Sequence, residues 1–189
     1  VQPDGHLAQT PHAAAFGSAL THPYITTDYS ESLLELITPA TTSIAETLGF
    51  LDDLHRFIYA HLGSEELWVN SMPCILGDDD NIPLAQYGHS NIGRMKTLYR
   101  HGLGVRYGRR MQTIAGIHYN LSFPDSFWQA WQEKLGNTQS LADFRSEKYF
   151  GLVRNFQRRS WLLLYLLGAS PAVCASFLRG REHKLQACG

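Results

Sequence analysis

The chain has 189 residues, of which 44% are hydrophobic and 17% charged, and its formal net charge is −1. This composition allows one sizeable core and excludes a disordered chain or a basic nucleic-acid-binding protein. Three widely spaced cysteines without a CxxC pair argue against a disulfide framework and favour a reducing cytoplasm. No apolar run reaches the about 20 residues that span a bilayer, so no membrane partner is expected.

The first third of the chain predicts short strands followed by a helix. Residues 23–38 are rich in β-branched residues and alternate in polarity, which places Glu35 on the face opposite Leu34. Ser43 and Glu46 form a capping box, in which each side chain satisfies a free backbone amide of the other residue. Apolar residues then recur at helical spacing up to a glycine at position 63, which predicts an amphipathic helix that ends there.

The rest of the chain predicts three helices and one strand. Residues 91–107 have an apolar side at helical spacing, residues 127–135 form a short helix, and residues 141–167 form one long or broken helix. Between them, residues 112–123 alternate between apolar and polar side chains, which predicts a strand that ends at Pro124.

The polar face of this predicted strand is the first candidate for chemistry. It carries Gln112, His118 and Asn120, with Gly116 between them. Neutral donors and acceptors, an imidazole and a glycine that permits close approach suit a ligand-binding face. The alternative is a face covered by a helix, with each polar group satisfied internally.

Two further stretches contain candidate residues. Glu35 lies in an apolar run, where a carboxylate needs a metal ion or an ion pair with an arginine; both interpretations stay open. Residues 86–100 place glycines and small polar residues before a helix that carries Lys96 and Arg100 on one face. The helix either binds an anion or presents a solvated basic face, and the segment contains no Walker loop. Cys74 is interpreted as a small buried residue.

Short sequence blocks occur in a fixed order along most of the chain. They are GSALTH (17–22), ITTD (25–28), LLE (33–35), ITP (37–39), SMPC (71–74), AQYG (85–88), SN (90–91), KTLYR (96–100), MQTI (111–114), G (116), HYN (118–120), YF (149–150), RN (154–155) and GASP (168–171). In this order the blocks resemble the proteobacterial glutamate–cysteine ligases.

The resemblance implies an α+β fold in which a mostly antiparallel, curved sheet, similar to that of glutamine synthetase, is covered outside by helices. Residues 1–189 would be part of a single catalytic domain. The implied reaction uses ATP to phosphorylate the γ-carboxylate of L-glutamate, and the amine of L-cysteine then attacks the acyl phosphate, as in the first step of glutathione synthesis. The implied cofactor is Mg²⁺, with Mn²⁺ as a substitute, in a cytoplasmic, monomeric enzyme without a nucleic-acid partner.

The resemblance also assigns roles to individual residues. Glu35 and His118, the latter as a neutral imidazole, are implied as metal ligands. Asp28 and Arg100 are implied as catalytic residues. Those implied to bind substrate are Arg100, Gln112 and Ile114 for glutamate, Tyr29 and Tyr99 for the cysteine side chain, and Asn120. Family members often carry Phe in place of Tyr29, and the added hydroxyl must find a partner.

The chain departs from the family pattern at both ends. An acidic strand with a Glu-x-Glu pair is expected before Val1, and further ligands are expected after Gly189. We therefore expect truncation at both ends and a 189-residue piece that is inactive and poorly stable by itself. The alternatives are a related carboxylate–amine ligase with another amine acceptor and a non-catalytic fragment.

Overall fold

The computed structural model describes residues 1–73, 75–168, 172–178, 182, 184 and 186–188. Cys74 lies outside the described residues, as do residues 169–171, which were predicted to interrupt the last long helix. The chain divides into two compact units, Val1–Gly116 with Ala172–Gly189, and Ile117–Pro171. The regular elements are β1 (Ile25–Thr27), β2 (Leu34–Leu36), α1 (Ile44–Tyr59), α2 (Asn91–Tyr107), α3 (Asp125–Lys134), α4 (Leu141–Leu167), β3 (Ala172–Cys174), α5 (Ala175–Leu178) and β4 (Gln186–Cys188).

Short strands β1 and β2 form an antiparallel pair in which Thr26 lies opposite Glu35. Alternation places Glu35 on the exposed face, whereas Leu34 on the other face packs against the core. The predicted strands and the facing of Glu35 are therefore confirmed.

Helix α1 begins at the predicted cap, because the Ser43 hydroxyl accepts a hydrogen bond from the Glu46 amide at 3.3 Å. The helix ends at Tyr59, before the glycine at position 63 that was predicted to stop it. Its inner face joins the core of the first unit through Leu54 and Ile58, which pack with residues of β1 and of a short 3₁₀ helix at Ala14–Phe16.

Helix α2 has the predicted bounds and packs closely against the segment before it. The Ser90 hydroxyl caps it by accepting the Gly93 amide at 3.1 Å. A Cβ atom on Gly93 would collide with the backbone carbonyl oxygens of Tyr87 and Gly88, so only glycine fits at this contact. Thr97 also donates to the Ala85 carbonyl at 3.1 Å, which fixes the helix beside residues 85–88.

The strand predicted for residues 112–123 is wrong. Arg110–Thr113 form a 3₁₀ helix, and residues 114–124 have no regular structure. Side-chain alternation stabilises a strand only where a neighbouring strand pairs with its backbone. The described backbone bonds give residues 114–124 no strand ladder, and Ile117 is 98% exposed.

Strands β3 and β4 and helix α5 lie near a second buried apolar cluster of the first unit. Strands β3 and β4 pair in parallel, and β3 and α5 contribute Val173 and Phe177 to a buried cluster with Leu76. Arg110 is 6% exposed, and its guanidinium pairs with Asp79 at 3.0 Å.

The second unit consists of helices α3 and α4 and the irregular segment before them. Its core is aromatic, with Trp128 and Phe144 almost completely buried and Tyr149 packed on Trp128 at 4.8 Å between ring centroids. The last two turns of α4 are apolar on every side and exposed. They carry Trp161, Leu162, Leu163, Leu164, Tyr165, Leu166 and Leu167.

Helices thus accompany small two-stranded sheets, which confirms the α+β class at this level. Within the described part of the chain, we find no helix with the length and apolar character needed to cross a bilayer.

Candidate functional site

A guanidinium meets the end of strand β1 in the first unit. Arg100, half-buried on α2, donates from Nε to the backbone carbonyl oxygen of Asp28, the residue after β1. Its Nη1 donates to the Lys96 carbonyl at 3.1 Å, one turn earlier on the same helix. The side chain of Asp28 is exposed. The two residues predicted to be catalytic therefore lie together.

The buried ring of Tyr87 contacts the side chains of both Arg100 and Lys96. Tyr87 is 5% exposed, and the Arg100 Cζ lies 4.6 Å from its ring centroid. The Lys96 Nζ lies 5.0 Å from the same centroid. Both cations are therefore within the range of a cation–π interaction with one ring.

The Tyr87 hydroxyl is held by strand β1. It donates to the Thr27 carbonyl at 2.6 Å, lies 3.1 Å from the Asp28 carbonyl, and is 3.2 Å from the Thr27 hydroxyl. Burial raises the pKa of Tyr87, the Thr27 hydrogen bond and Arg100 oppose that rise, and Asp28 and Glu35 add to it. Two carboxylates and a guanidinium thus act electrostatically on one buried phenol.

Of the two glutamates near β2, Glu31 is buried and Glu35 is exposed. Glu35 is exposed, so a buried ion pair with an arginine does not describe it. Glu31 is the buried carboxylate at 9% exposure, and it accepts the backbone amides of His12, at 2.6 Å, and of Gln86. Because its oxygens bond to the backbone of two distant segments, Glu31 stabilises the fold beneath the cluster.

The two tyrosines predicted to line a cysteine pocket lie in different environments. Tyr29 is 2% exposed, its hydroxyl has no described hydrogen-bond partner, and burial raises its pKa. The hydroxyl packs against Gly104 of α2, where an added Cβ would collide with it. Tyr99 is 64% exposed on α2. Tyr29 thus packs inside the unit, whereas Tyr99 is accessible to a ligand.

The other predicted residues follow α2 in the chain. Gln112 is part of the 3₁₀ helix, and Ile114, the next residue after that helix, is 40% exposed. His118 and Asn120 belong to the second unit and are exposed. Their roles, and the pairing of His118 with Glu35, stay predictions.

A cavity of about 380 Å³ lies elsewhere in the first unit. Its lining includes His12, Glu31, His61 and Glu65, but none of the predicted site residues. The Glu65 carboxylate accepts the Thr10 hydroxyl at 2.6 Å. The exposed Asp28 and the half-buried Lys96 and Arg100 lie instead around Tyr87.

The donor set bears on the implied magnesium ion. No group of three or more metal-binding side chains occurs among the residues that the structure describes. Mg²⁺ commonly takes only one or two protein carboxylates and completes its shell with water and substrate phosphates. The exposed carboxylate of Glu35 is of the type that such a partial shell uses.

Sequence reasoning did not single out Tyr87. Tyr87 lies in the AQYG block and in the segment 86–100, but no role was predicted for its ring or its hydroxyl. A tyrosine close before a helix that carries a lysine and an arginine four residues apart was the available signal, because such a ring can contact both cations.

The glutamate-cysteine ligase family model matches residues 1–189. The chain is 66% identical over 182 residues to the glutamate–cysteine ligase of Alcanivorax borkumensis and 57% identical over 183 residues to that of Saccharophagus degradans. These matches cover 96% and 97% of this chain and 35% and 34% of the relatives.

A solved structure shows the same likeness. The crystal structure of glutamate–cysteine ligase from Francisella tularensis in complex with AMP matches with a TM-score of 0.85 at 39% identity, over 96% of this chain and 35% of that one. The chain therefore spans about a third of the length of the relatives that it matches.

Proposed function

The chain belongs to the glutamate–cysteine ligase family, and we propose that it supplies part of the active site of an ATP-dependent ligase that joins the γ-carboxylate of L-glutamate to the amine of L-cysteine. The observation that carries the proposal is the cluster of Asp28, Tyr87 and Arg100 beside the exposed Glu35. The AMP in the Francisella tularensis complex supports the use of an adenine nucleotide. The ligase is proposed to act as a cytoplasmic monomer.

The proposed ligation needs a site that binds the carboxylate of glutamate and a group that accepts a hydrogen bond from the amine of cysteine. Arg100 offers guanidinium N–H groups, which bind carboxylates in bidentate fashion, and its contacts with Asp28 and Lys96 hold it in place. We propose that the exposed Asp28 carboxylate, whose backbone carbonyl accepts from Arg100, accepts a hydrogen bond from the incoming amine. Gln112 and Ile114 are proposed beside the glutamate, Tyr99 and Tyr29 beside the cysteine side chain, and Asn120 among the substrate contacts.

A magnesium ion, when bound, neutralises the charge of the transferred phosphoryl group. We propose Glu35 and His118 as metal ligands. The exposed carboxylate of Glu35 and the exposed imidazole of His118 support this assignment by their chemistry. Manganese, which accepts the same ligand types, would substitute.

We propose that the sheet is completed only in the full-length ligase. Two-thirds of each relative lie outside the match, and those residues are proposed to extend the β1–β2 pair into a mostly antiparallel, curved sheet similar to that of glutamine synthetase. The antiparallel pairing of β1 with β2 supports this view. A single catalytic domain would then include both compact units.

The test compares the isolated chain with a chimera. In the chimera, this chain replaces the matched segment of the Alcanivorax borkumensis ligase. Coupled ADP release is measured with glutamate and cysteine. We expect activity from the chimera and none from the isolated 189 residues. An active isolated chain would contradict the expected need for the rest of the protein, and a folded but inactive chimera would contradict the function.

Variants of the chimera test the assigned roles. Glu35→Gln and His118→Gln should each lower kcat by about 10- to 100-fold or more, since even the residues that support a metal ligand contribute that much. Arg56→Gln, on the exposed face of α1, is the matched control and should keep full activity. Full activity of both Gln variants would end the metal assignment. Comparing cysteine with 2-aminobutyrate and glycine as acceptors tests the alternative of another amine substrate.

A further inference from the structure

The side chain of Tyr87 contacts both Arg100 of α2 and the end of β1. Its ring lies under the Arg100 guanidinium at 4.6 Å, and its hydroxyl is bonded to the end of β1 at 2.6 Å from the Thr27 carbonyl. The Asp28 carbonyl oxygen accepts from Arg100 Nε and lies 3.1 Å from the Tyr87 hydroxyl, whose single proton is donated to the nearer Thr27 carbonyl.

The ring of Tyr87 is itself immobilised. It is 5% exposed, it packs in a buried cluster with Ala19 and Ala85, and α2 lies against its backbone at Gly93. A rigid ring defines where a guanidinium stacked on it can lie, and this stacking leaves the edge of the guanidinium available to a carboxylate.

We propose that Tyr87 is a positioning residue for glutamate binding, which holds Arg100 and the end of β1 at a fixed separation. The inference rests on the proposed function, in which Arg100 binds the carboxylate of glutamate. Tyr87 itself need not touch the substrate. The ring stacks on the Arg100 guanidinium, and the hydroxyl hydrogen-bonds to the end of β1.

These two contacts predict different results for two substitutions in the chimera. Tyr87→Leu removes the ring and the hydroxyl, so KM for glutamate should rise by about three- to thirty-fold, the range that corresponds to one cation–π contact, with little change in kcat. KM for ATP should not change. Tyr87→Phe keeps the ring, so KM for glutamate should stay within about twofold of the parent while the melting temperature falls.

Tyr24→Leu is the matched control. Tyr24 precedes β1 and packs on Phe50 at 4.9 Å between ring centroids, so its loss also removes a partly buried aromatic ring of the first unit. The control should lower the melting temperature without changing KM for glutamate. A role of Tyr87 in folding alone would give this same result for Tyr87→Leu, and that result would overturn the proposal.

A double-mutant cycle with Arg100→Lys separates the proposed role of Arg100 in binding glutamate from the role of Tyr87 in positioning it. If Arg100→Lys raises KM for glutamate and Tyr87→Leu adds little in that background, the two residues act together, as proposed. Independent, additive effects would overturn the positioning role alone. An unchanged KM for glutamate in Arg100→Lys would refute the proposed role of Arg100, and the inference about Tyr87 would fall with it.

Discussion

The contact between Gly104 and Tyr29 predicts a strong dependence of one substitution on another. An alanine Cβ at position 104 would collide with the buried hydroxyl of Tyr29, whereas the ring carbon Cζ lies at 3.7 Å, an ordinary contact distance. Arg109 Cγ, at 3.1 Å, belongs to a flexible side chain that can shift. The hydroxyl therefore decides whether alanine fits.

The expected free energies follow from these distances. In the parent chain, Gly104→Ala should lower the free energy of unfolding by about 1–3 kcal/mol through overpacking, partly offset by about 1 kcal/mol of helix propensity. Tyr29→Phe alone should raise it by about 1–2 kcal/mol, because the removed hydroxyl is buried without a described partner. In the Tyr29→Phe background, Gly104→Ala should be neutral or stabilising. The coupling energy is then about 1–3 kcal/mol.

Amide hydrogen exchange of α2, followed by mass spectrometry in rising urea, measures this stability in the first unit alone. Gly102→Ala is the matched control, because an added Cβ at this glycine of the same helix has nothing within 4 Å. It should stabilise α2 by about 0.5–1 kcal/mol in both backgrounds. If Gly104→Ala has the same effect with and without the Tyr29 hydroxyl, within about 0.5 kcal/mol, the reasoning is refuted.

Three further predictions concern titration and a buried ion pair. Burial lowers the pKa of His12 below 6.5, with Glu31 opposing the shift, so the unfolded state takes up the proton first and stability is lost as pH falls below 6.5. His12→Phe should remove that part of the acid-side decline in urea midpoints between pH 7 and 5. Burial raises the pKa of Tyr87 above 10.0, so stability should fall as pH rises past 10, and Tyr87→Phe should reduce that fall in the same assay. Arg110→Met should cost about 1–3 kcal/mol, because it removes the hydrogen bonds that Arg110 donates to the half-exposed Asp79 and to the Gly77 carbonyl, whereas a methionine at the exposed Arg56 should cost at most about 1 kcal/mol by urea denaturation.

Local patterns predicted what depends on local interactions. The capping serine of α1, the bounds of α2 and the exposed side of Glu35 follow from hydrogen bonds and periodicities within a few residues. The joint position of Asp28 and Arg100 followed from family resemblance, since 72 residues separate them and no periodicity relates them.

The failures arise where distant parts of the chain decide the outcome. Residues 112–123 have the alternation of a strand, but a strand also needs a neighbour with which to pair, and alternation does not supply one. The burial of Glu31 rather than Glu35 depends on backbone amides of His12 and Gln86, which are remote in sequence. Tyr87 was missed because its role comes from contacts with two separate segments.

The acceptors at the end of β1 are main-chain atoms, and this has a practical consequence. Every amino acid carries a carbonyl oxygen, so replacing Asp28 leaves the acceptors of Arg100 and Tyr87 chemically intact. Saturation mutagenesis at this codon would therefore vary the reacting group while the scaffold beneath it is kept. Catalytic losses in such a library would report on the carboxylate itself.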